Sequence, residues 1–267
     1  MLPPIDAAAP AVRALPRPPG TQTVERALAA LDVLSQSPNL SLTQIAHELE
    51  LNVSTARRLV TTLEARGYVR RATPGYALGF KLVELAGLTL NHTELVRHSL
   101  TELDQLRDHL DLNANLAILS GGDVLHLAYA VRSDTPRYYT SIGRRAVAHC
   151  TALGKVLLSA EVREQVHAEI RRRGWRPYTP RSIQDFDALD RALDEVIAEG
   201  HAIDRDERTL GTACLAAPVR DRSGRIAAAI SVSGAGQRFD ALGVERIRRE
   251  VVEHARNVSL KLGCFDR

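Results

Sequence analysis

The chain has 267 residues, 45% hydrophobic and 25% charged, with a formal net charge of +3 and a pI near 8.9. A typical domain runs to about 100–200 residues, so this length fits one large or two medium domains with a sizeable core. The balance excludes a mostly disordered or collagen-like chain, and apolar runs of five residues, such as 27–31, fall far short of the ~18 that a membrane span needs.

A mildly basic total neither requires nor excludes nucleic acid, so the local distribution of charge has to decide. Aromatic residues make up only 4%, which argues against a base-stacking platform for single strands. Three scattered cysteines, Cys150, Cys214 and Cys264, are too few for a disulfide framework and point to a reducing cytoplasm.

The first twenty residues hold six of the twelve prolines and lack the apolar core of a signal peptide, so they read as a disordered tail. The folded part starts near Thr21. Val24, Ala27, Leu28, Leu31 and Leu34 recur at helical spacing, and Pro38 ends the region. A second, short helix begins at Ser41, where Gln44 three residues on fits a capping box; its apolar face is Leu42, Ile45, Ala46 and Leu49. A third helix follows Asn52, with an inner face of Val53, Ala56, Leu59, Val60 and Leu63, and Gly67 closes it. The segments 68–71 and 76–78 then form a hairpin about Pro74-Gly75. Three helices and a hairpin make a winged helix-turn-helix candidate over 21–80.

Leu78, Leu82, Leu85 and Ala86 continue as a helical stripe, and a further helix over 93–110 carries Val96, Leu100, Leu103, Leu106 and Leu110. A linker and dimerisation helix over 81–95 is one reading of this region; packing onto the C-terminal domain is the other. From 113 onward, strand-like segments 116–119 and 124–131 flank the turn Ser120-Gly121-Gly122-Asp123. Helical patterns cover 153–173 and 187–199. A second strand pair, 213–220 and 225–233, is joined by 221–224, and a last helix spans 241–262. Antiparallel hairpins interrupted by helices define an α+β class.

Enzyme signatures are missing: there is no G-x-G-x-x-G, P-loop, G-x-S-x-G or H-E-x-x-H pattern. A cytosolic thiol hydrolase using Cys150 or Cys214 is the enzymatic alternative. His149, Cys150, Cys214 and Asp204 are conceivable metal ligands, but no close-spaced ligand pair supports them, so neither metal nor cofactor is expected.

Charge concentrates in residues 52–71. Arg57, Arg58, Arg66, Arg70 and Arg71 stand against Glu64, a surplus of +4 in twenty residues where the whole chain carries +3. Off the inner face of the third helix lie Asn52, Ser54, Thr55, Arg57, Arg58, Thr61 and Thr62, short donors and arginines suited to phosphates and base edges. Ser41 and Thr43, at the start of the second helix, join the set expected to touch double-stranded DNA, and Arg70 and Arg71 place the wing on the backbone or in the minor groove. A module that docks protein in place of DNA is a further alternative.

The segment SLTQIAHELELNVSTARRLVTTLEARGYV, with TVERALAALDVL before it, resembles the helix-turn-helix of the IclR family of bacterial transcriptional regulators. SIGRRAVAHCTALGKVLLS and GHAIDRDERTLGTACLAAPVRDRSGRIAAAISVSG resemble the effector-binding domain of that family. Val53 stands where many members have lysine, and Arg205 interrupts a usually acidic run. The resemblance implies a winged domain, a linker helix and a GAF/PAS-like effector-binding domain over 96–267. It also implies dimers or tetramers on a palindromic operator, and a small carboxylate or aromatic acid as effector of a catabolic operon.

Strand alternation places Thr212 with Cys214 on one face, and Ser231 with Ser233. If Arg220 pairs with Arg225, Cys214 faces Ser231 and Thr212 faces Ser233. Hydroxyls there would receive a carboxylate, with the first turn of the helix at Ala152 and Leu153 beside it and Asp204 accepting a hydroxyl or holding a loop. The family's ligand positions match Ala152, Leu153, Asp204, Cys214, Ser231 and Ser233. Tyr129, Tyr138 and Tyr139 are candidates to line the same cavity.

Overall fold

A computed structural model describes residues 21–37, 39–133 and 142–265. The proline-rich tail, Pro38, Tyr138 and Tyr139 lie outside the described residues. The chain divides between His92 and Thr93 into two compact units.

The first unit begins with α1 (Gln22–Gln36), α2 (Leu42–Glu48) and α3 (Val53–Ala65). The capping box is present: Ser41 Oγ accepts from the Gln44 backbone N–H at 3.2 Å, and Gln44 Oε1 accepts from the Ser41 N–H at 2.9 Å. Asn52 caps α3 by accepting from the Thr55 N–H at 2.8 Å. Gly67, at φ +75, turns the chain out of α3 while the Tyr68 N–H reaches back to the Leu63 carbonyl. Leu34, Ile45, Val60 and Val69 form the small core, with Leu31, Leu63 and Tyr76 packed against it. Val53 is a correction to the expected inner face: it is 43% exposed, because the first turn of α3 projects beyond that core.

The wing pairs β1 (Val69–Arg71) with β2 (Tyr76–Leu78). Its turn is tied to the helices, since Leu40 and Tyr76 exchange both backbone hydrogen bonds, at 2.8 and 3.0 Å. This close approach requires Gly75, which sits at φ +88 and where a Cβ would lie 2.2 Å from the Leu40 carbonyl oxygen. Gly75→Ala is therefore expected to detach the wing. Hydrogen exchange at the Leu40 and Tyr76 amides should accelerate strongly, with little change at the Ala56 or Val60 amides of α3. Unchanged protection at Tyr76 would contradict the close approach.

Two apolar faces of this unit stay open. Val24 and Leu28 on α1 are each more than half exposed, and α4 (Lys81–Asn91) buries no residue, leaving Val83, Leu85 and Leu88 exposed.

The second unit starts with α5 (Glu94–Leu110), β3 (Asn113–Ser120), β4 (Asp123–Ala130), β5 (Arg145–Val147), α6 (Ala152–Leu158), α7 (Arg163–Arg173) and α8 (Phe186–Glu199). It continues with β6 (Ala202–Arg205), β7 (Thr212–Arg220), β8 (Ile226–Ala235), α9 (Gly236–Leu242) and α10 (Val244–Lys261). Six strands form one sheet in the order β5-β4-β3-β8-β7-β6, every pair antiparallel. The class is α+β. Helix α6 is buried along its whole length and packs with α7 and α8 against Ala117, Ala202, Ala216 and Ala229 of the sheet. Helices α5 and α10 pack against each other and against β3, β4, β7 and β8. Small alanines on the α6 side let that helix approach the strands closely. Gly154 is part of the same fit, since a Cβ there would lie 2.0 Å from the Ala148 carbonyl oxygen.

Candidate nucleic-acid interface and effector site

In the first unit, Thr43, Asn52, Ser54, Arg57, Arg58, Thr61, Arg70 and Arg71 are all exposed, and Ser41 and Thr55 are half-buried. Arg57, Arg58 and Thr61 lie on the solvent side of α3, opposite Ala56, Leu59 and Val60. Several of the residues expected to touch DNA have local duties as well. Asn52 Oδ1 accepts from Thr55 N–H and from Ser54 Oγ at 2.7 Å, which leaves only its amide N–H groups for a ligand. The Thr62 hydroxyl donates to the Arg58 carbonyl. On the wing, Arg71 pairs with Glu64 at 3.1 Å and lies over the Tyr76 ring, while Arg70 lies over Phe80. Among the described residues, Arg57 and Arg58 on α3 have no ion-pair partner, whereas Arg71 on the wing has one.

In the second unit the hairpin register differs from expectation. Arg220 pairs with Ile226, and a bulge follows at Val219/Arg220, so Cys214 faces Ser233, Ala216 faces Ser231 and Thr212 faces Ala235. The expected pairings were two residues out of step, because Arg225 belongs to the turn and one further residue is taken up by the bulge. A shift of two keeps the face, so the small polar residues still share one side of the sheet. Thr212 is the exception in role: its hydroxyl is spent on the Thr209 carbonyl at 2.6 Å.

Across the sheet, Asp204 sits beside Cys214, Cys214 beside Ser233, and Ser233 beside Asn113; one row along lie Ala216, Ser231, Asn115 and Tyr129. Asn115 Nδ2 donates to Ser231 Oγ at 3.3 Å and to Ser233 Oγ at 3.4 Å. Asn115 was not anticipated; the available signal was an asparagine in the middle of a strand, where that residue is depleted. Ala152 and Leu153 open α6 and pack in one cluster with Ala216 and Cys214. Thr151 caps the helix by accepting from the Gly154 N–H at 3.1 Å.

Asp204 is 2% exposed, and burial together with the neighbouring Glu207 pushes its carboxyl up to about 6. It accepts the Glu207 backbone N–H at 2.9 Å and so holds the following loop. Lys155, buried on α6, donates to the Ile203 carbonyl at 2.5 Å and to Glu207 Oε1 at 2.6 Å. His126 stacks on Tyr129 and is driven down to about 3 by burial and by the Arg144 and Arg208 guanidinium groups. Arg208 lies over Tyr178, and its Nη1 is buried without a hydrogen-bond partner among the described residues. A separate cavity of about 180 Å³ is lined by Val147, His149, Leu158, Gln165, Ile170 and Arg176, and no predicted effector residue lines it.

Burial pushes the Cys150 thiol up to about 12 and raises Cys214 well above the ordinary thiol range. Neither sulfur is a thiolate near neutral pH, the form a nucleophile needs. The thiol-hydrolase alternative has no support in this geometry.

A winged helix-turn-helix unit joined to an antiparallel-sheet unit with a buried polar cluster is the plan of a one-component transcription regulator. Comparison with known proteins agrees over nearly the whole chain. Residues 23–73 match the IclR helix-turn-helix domain, and residues 87–260 match the C-terminal domain of bacterial transcriptional regulator IclR. The chain belongs to the IclR family and is a DNA-binding transcriptional regulator, not an enzyme.

It is 33% identical to the HTH-type transcriptional regulator BhcR of Paracoccus denitrificans, over 90% of this chain and 87% of that one. A crystal structure of an IclR regulator from Alicyclobacillus acidocaldarius superposes with a TM-score of 0.80 at 27% identity, covering 91% of this chain and all of that one. An IclR homolog from Microbacterium hydrocarbonoxydans, solved with 4-hydroxybenzoate, shares the fold at 23% identity and a TM-score of 0.77, covering 90% and 97% of the two chains.

Proposed function

We propose that the protein is a cytoplasmic repressor of a catabolic operon, which binds a palindromic operator as a dimer or tetramer and senses a small organic acid. The α3 face with Arg57 and Arg58 enters the major groove, and Arg70 follows the backbone from the wing. The open apolar faces of α1 and α4 support self-association, because exposed patches of this kind mark interfaces. Among the described residues, no helix is long and apolar enough to cross a membrane.

The observation that carries the effector reading is the Asn115 amide bridging Ser231 and Ser233 on the strand face that packs against the first turn of α6. Hydroxyls and amide donors receive a carboxylate without the desolvation cost of an unpaired buried cation. Arg208 and Arg144, both close enough to His126 to depress its protonation, make the surroundings electropositive and favour an acid over a neutral ligand. The 4-hydroxybenzoate of the Microbacterium homolog is an acid of this class. The effector would bind one conformation of the sensing unit better than another and so shift operator affinity.

The test is operator binding in the presence of candidate acids for wild type and for Ser231→Ala/Ser233→Ala. Wild type should release DNA at an effector concentration at least tenfold lower than the double variant, with DNA affinity unchanged in the absence of acid. A double variant that responds as wild type does would refute the site.

A further inference from the structure

The packed helices α5 and α10 carry a second polar cluster that the regulator reading does not use. Glu250 and His254 lie one turn apart on α10, and His109 comes from the last turn of α5. One ligand atom from each lies within 4.8 Å of the other two. His109 Nδ1 is 3.2 Å from Glu250 Oε2, and His254 Nε2 is 3.8 Å from the same oxygen. Zinc bonds of about 2.0–2.1 Å in a tetrahedral arrangement put neighbouring ligand atoms about 3.3 Å apart. Small side-chain rotations bring the three atoms to that spacing.

The support behind the cluster decides which atoms face inward. His254 is buried, and its Nδ1 is 2.7 Å from Glu102 Oε2. Glu102 is itself fixed by Lys261 Nζ at 2.5 Å and Asn257 Nδ2 at 3.2 Å, so it can only accept from the imidazole. His254 therefore carries its proton on Nδ1 and presents the Nε2 lone pair to the cluster. A carboxylate that orients a histidine through its far nitrogen is the usual second layer of a metal site. Two imidazole nitrogens and a carboxylate oxygen thus converge, and His109, which reaches Glu250 Oε2 at 3.2 Å through Nδ1, would bind an ion through that nitrogen in its Nε2-protonated form. The exposed side of His109 leaves room for water as a further ligand.

We propose that His109, Glu250 and His254 bind a divalent transition-metal ion of the zinc type. Two imidazoles and one carboxylate select Zn²⁺, Co²⁺ or Ni²⁺ over Mg²⁺ or Ca²⁺, which prefer all-oxygen sets. The ion clamps the end of α5 to α10. The rival occupant is a proton on one imidazole, giving an ordinary ion pair with Glu250.

The experiment titrates Zn²⁺ and Co²⁺ into untagged, metal-free full-length protein, with wild type compared against His109→Ala and Glu250→Gln. Both replaced side chains lie at the surface end of the cluster, so the fold should persist, which circular dichroism checks. Wild type is expected to bind one equivalent that each variant loses or binds at least tenfold more weakly. Its melting temperature should rise with Zn²⁺ while that of His109→Ala does not. The three cysteines are common to all samples, so any binding through them cancels in the difference. Equal stoichiometry and affinity in wild type and His109→Ala, or a wild-type melting temperature that follows pH but ignores Zn²⁺, would overturn the proposal.

Discussion

Replacing Lys155 with methionine is expected to lower the unfolding free energy by about 3–5 kcal/mol at neutral pH, the cost of breaking a buried ion pair by removing one partner. Lys155 is 5% exposed and, among the described residues, is the only cation hydrogen-bonded to Glu207. Glu207 Oε2 already has no partner among the described residues, so without Lys155 neither carboxylate oxygen keeps one. Burial raises Glu207, and burial with Glu207 raises Asp204 to about 6, even with the lysine in place.

The sign of the pH dependence follows from those shifts. A carboxyl whose folded pKa lies above its unfolded value holds its proton more tightly in the native state. Stability then falls as pH rises through the interval between the two values. Deleting the cation raises both carboxyls further, so the deficit of Lys155→Met should be small near pH 4 and largest above pH 7. Lys155→Met/Glu207→Gln should recover much of the loss, because the orphaned charge is gone. Urea denaturation at pH 5 and pH 8 reads both effects; a pH-independent deficit would mean that Glu207 reaches solvent.

Arg57→Ala/Arg58→Ala is expected to weaken binding to the protein's own upstream DNA by about tenfold to a hundredfold per arginine. For every phosphate left without its arginine, the dependence of log affinity on log salt should also flatten by about 0.9. Both side chains are exposed on α3, away from the Leu34–Ile45–Val60 core, so melting should not change. Arg71→Ala should cost less, because Arg71 already spends part of its charge on Glu64. Affinities measured at four or five salt concentrations separate the two outcomes. An unchanged slope in the double variant would move both arginines off the phosphates.

Local signals made much of this architecture readable from the chain. The Ser41–Gln44 box, the Asn52 cap and Gly67 each act within four residues, and the turns at Gly121-Gly122 and Ser223-Gly224 mark their hairpins. β5, β6 and α9 escaped, because they are too short to show a period and, unlike α2 and the β1–β2 hairpin, carry no capping box or Pro-Gly turn to mark them. The helical pattern over 153–173 is broken at 159–162 into α6 and α7. Lys155 looks like any surface lysine until the sheet closes over it. The α5–α10 cluster joins residues 141 and more positions apart in sequence, beyond the reach of any spacing rule. Cys214, Ser231 and Ser233 could be placed on one face of the sheet because strand alternation survives an error of two in register, whereas Asp204 lies on the unanticipated β6.

That tolerance is a property of the molecule as well. The reversal between β7 and β8 combines an extended turn with a bulge, and only the parity of their summed length decides which side of the sheet the serines occupy. Adding or removing residues there in pairs would keep Ser231 and Ser233 on the same side of the sheet. A single insertion or deletion that slips the pairing by one would turn Ser231 and Ser233 toward α10 and Val232 toward α6, erasing the polar cluster while leaving the strand count intact.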